Sequence, residues 1–161
     1  MFWKKGDLPI QLSDVIGIYQ KVMLACASKE TSADPDNWLE NDPSRGNCVP
    51  FAIFIKETFG GEILRASLAK VAGYENMGSH YWNRLLNGAE IDLARDQFKG
   101  GAYNLIPEGS NLSRDDNPIT VESLLKNPDV KKRFELLRER LSEVLGLLYL
   151  TAEIKNRGED V

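Results

Sequence analysis

Hydrophobic positions in the first part of the chain recur at helical intervals. Leu12, Val15, Ile16, Tyr19, Val22, Met23 and Cys26 recur at spacings of three and four. They make one apolar stripe, which predicts an amphipathic helix over residues 12–27. A second helix is predicted from Cys48 to Phe59, where Val49, Phe51, Ala52, Ile53, Phe54, Ile55 and Phe59 leave polar surface mainly at Lys56-Glu57-Thr58. Asn47 stands in the N-cap position, Pro50 falls in the first turn where its missing N–H costs nothing, and Gly60-Gly61 supplies the stop. A helix apolar on most sides belongs at the centre of a domain.

The pattern then changes. "EILRASL" from residue 62 reads as a strand, and "HYWNRLLNGAEIDLA" from residue 80 as two strands about a turn at Asn87-Gly88. A further short strand is expected near residues 102–106. Asn127 then caps a long helix, residues 128–156, with Pro128 at its first position and Val130, Phe134, Leu137, Leu141, Val144 and Leu148 as its stripe. Its "VLGLLYL" segment is apolar on more than one face, so a dimer through this helix stands beside a monomer. Between the first two helices, "ETSADPDNWLENDPSRGN" is a long polar loop anchored by Trp38, and loops of that length in compact domains are often functional. The order of helix, loop, central helix, antiparallel strands and helix gives an α+β class in a single domain over residues 1–161.

Composition narrows the function classes. With 24 acidic residues against 20 basic ones interleaved along the chain, there is no field of one sign to attract nucleic acid or an anionic membrane. Lys131, Lys132 and Arg133 are followed by Glu135 and Glu139 at helical spacing, the pattern of a solvated helix face. The opening "MFWKKGDLPI" lacks an apolar core behind its lysines, and "VIGIYQKVMLACA" is broken by Gln20 and Lys21. A cytoplasmic protein without a secretory or membrane segment is therefore expected. No cofactor is implied. Two cysteines allow at most one bridge, and Cys26, in the first stripe, reads as a buried thiol.

Cys48 is different, because it begins a helix. Unpaired N–H groups and the helix dipole favour negative charge there, and the same N–H groups can hold the oxyanion that forms when a thiolate attacks a carbonyl. Asn47 can add a side-chain donor. The chain has one histidine, His80, at the start of a hairpin strand, with Asp92 near the end of the next. Turn length decides whether they meet, since a one-residue change in register reverses every face. A two-residue loop at Asn87-Gly88 sends them to opposite faces. A three-residue loop, Leu86-Asn87-Gly88 closed by a left-handed glycine, pairs Leu85 with Ala89 and makes His80 and Asp92 diagonal neighbours, roughly 7–8 Å apart at the backbone. The second register also groups Tyr81, Leu85, Ile91 and Leu93 on one side, opposite His80, Trp82, Arg84, Glu90 and Asp92, and is preferred for that reason. A carboxylate beside imidazole fixes its tautomer and stabilises the imidazolium, which in turn favours a thiolate nearby.

The stretch from Trp38 to Phe98, with "NDPSRGNC", "FGGEILR", "SHYWNRLLNG" and "EIDLARDQF", resembles the YunG-like family of small bacterial proteins, which is not biochemically characterised. The chain has Asn47 where members more often have glutamine, and Ala94 where threonine is common. More remotely, "HYWN" and "EIDLA" are similar to the histidine and aspartate strands of transglutaminase-like and papain-like cysteine enzymes, whose nucleophile begins the central helix. That resemblance implies Cys48 as nucleophile, His80 as base and Asp92 as the orienting carboxylate.

The leading expectation is a cysteine hydrolase or acyltransferase of peptidase or amidase type, working through a thioester on Cys48. Its substrate would be a peptide, a protein or a small amide. Asn47, Trp82 and Trp38 are the expected oxyanion and substrate-binding residues, with Trp82 walling the cleft. The alternative is an inactive peptide- or protein-binding domain of the same fold, with Trp38, Trp82, Tyr103 and the acidic loop lining a groove. A third reading, metal held by Cys48, His80 and Asp92, lacks close ligand spacing, so no metal site is expected.

Overall fold

Helix α1 (Ile10–Cys26) leads the computed structural model, which describes residues 10–156. The readings made for residues 1–9 lie outside the described residues. Turns carry the chain to α2 (Cys48–Phe59), which has the predicted bounds. Three antiparallel strands follow in the order β1 (Glu62–Ser67), β2 (Ser79–Arg84) and β3 (Glu90–Ile91). A short α3 (Val121–Leu125) precedes the long α4 (Pro128–Asn156). The architecture is α+β.

Helix α2 is central because it is buried from two sides. Phe51 and Ile55 pack with Ile16, Met23, Leu137 and Leu141 of α1 and α4 and with Leu85 and Ile91 of the hairpin, while Ala52 and Ile53 meet Ile63, Val130 and Phe134. Each of the larger side chains among them contributes about 1.5–3 kcal/mol by leaving water. Asn83 on β2 donates its side-chain N–H to the Ala52 carbonyl at 2.9 Å, tying helix to sheet. Arg140 stitches α4 to the end of α1, donating to the Cys26 carbonyl at 3.0 Å and to Ser28 Oγ at 2.8 Å. A cation suits that position, where the last carbonyls of a helix lack partners.

The hairpin takes the three-residue turn. Asn83 pairs with Ile91 and Arg84 with Glu90, the Leu85 N–H donates to the Ala89 carbonyl at 2.8 Å, and Gly88 has a φ of 85°. Glycine takes that left-handed conformation without the Cβ penalty. Strand β3 is shorter than the sequence pattern predicts. Asp92 Oδ1 accepts the Ala94 N–H at 3.1 Å, and this local Asx bond draws the backbone out of the ladder.

Other expectations need correction. Residues 102–106 form a 3₁₀ turn, Ala102–Leu105, instead of a strand, because Gly101 starts it in a left-handed conformation and Asn104 N–H bonds back to the Gly101 carbonyl at 3.0 Å. Ser110, further on, exchanges backbone bonds with Arg65 at the free edge of β1. Helix α3 was not foreseen, although its capping box, Thr120 with Ser123, is visible as a short polar signal. Val15 is 41% exposed on the flank of the α1 stripe. Arg133 is buried, bonded to Asp129 at 2.8 Å and directed at the Thr31 carbonyl, so the basic cluster is not wholly a solvated face. The α4 stripe is buried through Leu141, whereas Leu147, Leu148 and Leu150 are exposed. Among the described residues no helix is long and apolar enough to cross a membrane.

Candidate active site

The observed register puts His80 and Asp92 together. His80 Nε2 faces Asp92 Oδ2 at 2.5 Å, and both side chains are almost wholly buried, at 1% and 2% exposure. The ring is also gripped by aromatics. Trp82 stacks on it with centroids 5.5 Å apart, and Phe98 meets it edge-on at 4.8 Å. Such a ring has little freedom to turn, so the atom left for chemistry is Nδ1. Burial disfavours the imidazolium, but the charge and hydrogen bond of Asp92, followed by those of Cys48, outweigh it and push His80 from 6.5 up to about 10.

Asp92 is itself held in place. Its Oδ1 takes the Ala94 N–H, and Tyr103 lies nearby; burial, then the charge of Asp92, push the Tyr103 phenol well up, so it stays protonated. Arg95 lies over the Tyr103 ring at 4.2 Å. Arg84 makes its ion pairs with Glu62 and Glu90, leaving Asp92 to His80.

Cys48 is the first residue of α2 and half-buried. Phe51 N–H is the first to find the helix acceptor, the Asn47 carbonyl at 3.1 Å, and Pro50 has no N–H, so the first-turn donors without an intrahelical partner are those of Cys48 and Val49. His80 Nδ1 makes no hydrogen bond among the described residues. Cys48 lines the same cavity as His80 and lies close enough to add to the proton affinity of its ring. Asp92 therefore fixes one ring nitrogen, and the other has no partner among the described residues, with Cys48 on the wall of the same cavity.

Asn47 does not serve as expected. It is buried, its side chain does not cap α2, and both N–H bonds of its amide go back into the loop, to the Pro43 and Arg45 carbonyls at 3.1 Å. The cause is the loop itself, which folds on its own carbonyls. Trp38 belongs to the same construction, donating Nε1–H to the Pro43 carbonyl at 3.1 Å and lining neither cavity beside His80. Trp82 lies behind His80, its Nε1–H bonded to Glu90 at 3.0 Å, and walls a small cavity of about 180 Å³ with Tyr103. A single aromatic groove through Trp38, Trp82 and Tyr103 is therefore not formed.

The larger cavity, about 730 Å³, opens on Cys48 and His80 and is lined further by Tyr81, Arg65 and Gln97. Gln97 is a residue the sequence reading missed. Fully buried, it accepts the Gly46 N–H at 3.2 Å and donates to the Ala94 carbonyl at 3.0 Å, so one amide braces the backbone before Cys48 against the backbone after Asp92. Phe98 was likewise missed as a site support, and Tyr103 entered the sequence reading only as a wall of the alternative groove. Their only sequence signal is position, just downstream of Asp92 on a turn-rich segment. Among the described residues, no group of three or more His, Cys, Asp and Glu side chains is arranged to hold a metal ion.

The YunG protein family matches the chain over residues 16–146, which takes in Cys48, His80 and Asp92 and extends beyond the 38–98 stretch that carries the visible motifs. The chain belongs to the YunG family. Its matched region includes most of α1 and of α4, so the helices that flank α2 are part of what the family shares. No curated protein and no solved structure matches the chain.

Proposed function

We propose that this YunG family member is a cysteine hydrolase or acyltransferase of peptidase or amidase type, with a papain-like or transglutaminase-like core. The observation that carries the reading is His80: buried, fixed at Nε2 by Asp92, with Nδ1 left without a hydrogen-bond partner among the described residues and Cys48, at the start of α2, near enough to add to its proton affinity. A buried imidazole held this way is what proton transfer to and from sulfur requires.

The reaction proceeds in two balanced halves. Cys48 sulfur, its proton held by His80, attacks the carbonyl carbon of an amide, and the negative charge that collects on oxygen is met by the Cys48 and Val49 N–H groups. The C–N bond breaks as His80 gives its proton to the departing amine, leaving a thioester on Cys48. Water, or an amine in a transfer reaction, then attacks that thioester while His80 takes its proton, and the thiol is released. Asp92 holds the ring and stabilises the imidazolium throughout.

The test is selective thiol labelling of the native protein with iodoacetamide at neutral pH. Cys48 reacts at least tenfold faster than Cys26, whose thiol burial pushes up, and His80→Ala removes that advantage. Equal reactivity of the two thiols, or unchanged Cys48 reactivity in His80→Ala, refutes the triad.

A further inference from the structure

The charges around the larger cavity do not balance. Arg65, Arg114 and Lys126 line it, against Asp115. None of the three cations is in an ion pair among the described residues, although Arg45, Arg84 and Arg133 all have carboxylate partners elsewhere. Arg65 stands directly across the ladder from Tyr81 on β2, and its charge acts on the Tyr81 phenol. It is only half-exposed, and a guanidinium kept partly from water without a carboxylate is poorly compensated.

Arg114 reaches the same place from another element. The tight turn from Ser113 to Asn117 is closed by the Ser113 N–H on the Asn117 carbonyl at 2.7 Å. From it, Arg114 Nη2 extends to within 3.8 Å of where a side chain on Gly78 would begin, two residues before His80. Ser79 adds a buried hydroxyl with no partner among the described residues. Two arginines from separate elements therefore line the cavity that holds Cys48, neither with a carboxylate partner among the described residues.

We infer that this cleft selects acyl substrates bearing a carboxylate close to the carbonyl under attack, bound by Arg65 and Arg114. The inference rests on the reading of Cys48 as the nucleophile. A fork of N–H donors matches a carboxylate in shape as well as charge. Lys126 adds longer-range attraction at the rim. The carboxylate can be an acidic side chain within a peptide or the free end of a chain, and both present the same group.

Paired alkylating probes test this on the intact protein. Iodoacetate and iodoacetamide differ in charge at nearly equal size, so the ratio of their rates at Cys48 reads the local field. Arg114→Gln, a substitution in an exposed turn, lowers that ratio by about three- to tenfold. Arg65→Gln does the same where it folds. Protection of Cys48 against iodoacetamide then separates the sources: acetyl-Ala-Glu-Ala amide protects if a side chain is read, acetyl-Ala-Ala-Ala free acid if a chain end is, and acetyl-Ala-Gln-Ala amide protects in neither case. A ratio unmoved by Arg114→Gln, or equal protection by the neutral peptide, overturns the carboxylate inference alone. A Cys48 no more reactive than Cys26 toward iodoacetamide overturns the nucleophile reading instead. Anion binding is then judged by thermal unfolding, where succinate raises the midpoint in the wild type but not in Arg114→Gln, and succinamide raises it in neither; no shift with succinate removes the site.

Discussion

Asp92→Ala destabilises the protein by about 3–5 kcal/mol, as removal of one partner from a buried ion pair does, and it reverses the way stability depends on pH. In the wild type His80 is raised from 6.5 to about 10. A group whose proton affinity rises on folding adds stability that is complete below its unfolded value and is lost as pH climbs through its folded value. Urea unfolding of the wild type should therefore weaken steadily from pH 6.5 to about 10. Without the carboxylate, burial, the largest influence on the ring, pushes His80 below its ordinary value. The sign then changes, and the variant loses stability on acidification. Asp92→Asn keeps an acceptor for the ring, so it costs less but shows the same reversal. Parallel pH profiles for wild type and variants would show that Asp92 does not govern the charge of the ring.

The second large effect lies at the far end of α2. Gly61 has a φ of 77°, and a Cβ there would drive into the Arg84 carbonyl and come within 2.9 Å of Leu85 Cα. Both obstacles are backbone, so no rotamer change relieves them. Left-handed strain of about 1–2 kcal/mol and overpacking of about 1–3 kcal/mol put Gly61→Ala near 3 kcal/mol in all. For a domain of this size that corresponds to a fall in Tm of roughly 6–12 °C. Gly88 gives the control. Its φ is also positive, at 85°, but a Cβ there meets nothing within 4 Å, so Gly88→Ala carries only the conformational cost. If the two alanine variants melt together, the close approach of Gly61 to β2 is not what makes it glycine.

The parts of this fold that could be read from sequence are those where one local rule acts alone. Helix α2 was legible to the residue because a capping position, a first-turn proline and a glycine pair bracket an apolar run. The hairpin register was legible because only one turn length sorts its apolar and polar positions onto separate faces. Where two rules compete, the pattern misleads. Asn47 is a good helix cap by residue type, yet its amide answers the loop carbonyls of Pro43 and Arg45. The aspartate that ends β3 does so through a bond to its own backbone two residues on, which alternation alone does not register. Gln97 and the cations of the cleft were illegible for another reason. Their meaning comes from segments far apart in the chain, as when the Gln97 amide spans from Gly46 to Ala94. Nothing in the spacing of glutamines or arginines announces such a meeting.

The turn at Leu86-Asn87-Gly88 behaves as a spacer whose length matters more than its side chains. Leu86 is 85% exposed and its replacement by a polar residue should pass almost unnoticed. Deleting Asn87 should instead carry Asp92 to the wrong side of the sheet and abolish the selective labelling of Cys48, with every site residue still present. In a library of substitutions and deletions, this solvent-facing corner would therefore look permissive to one kind of change and closed to the other.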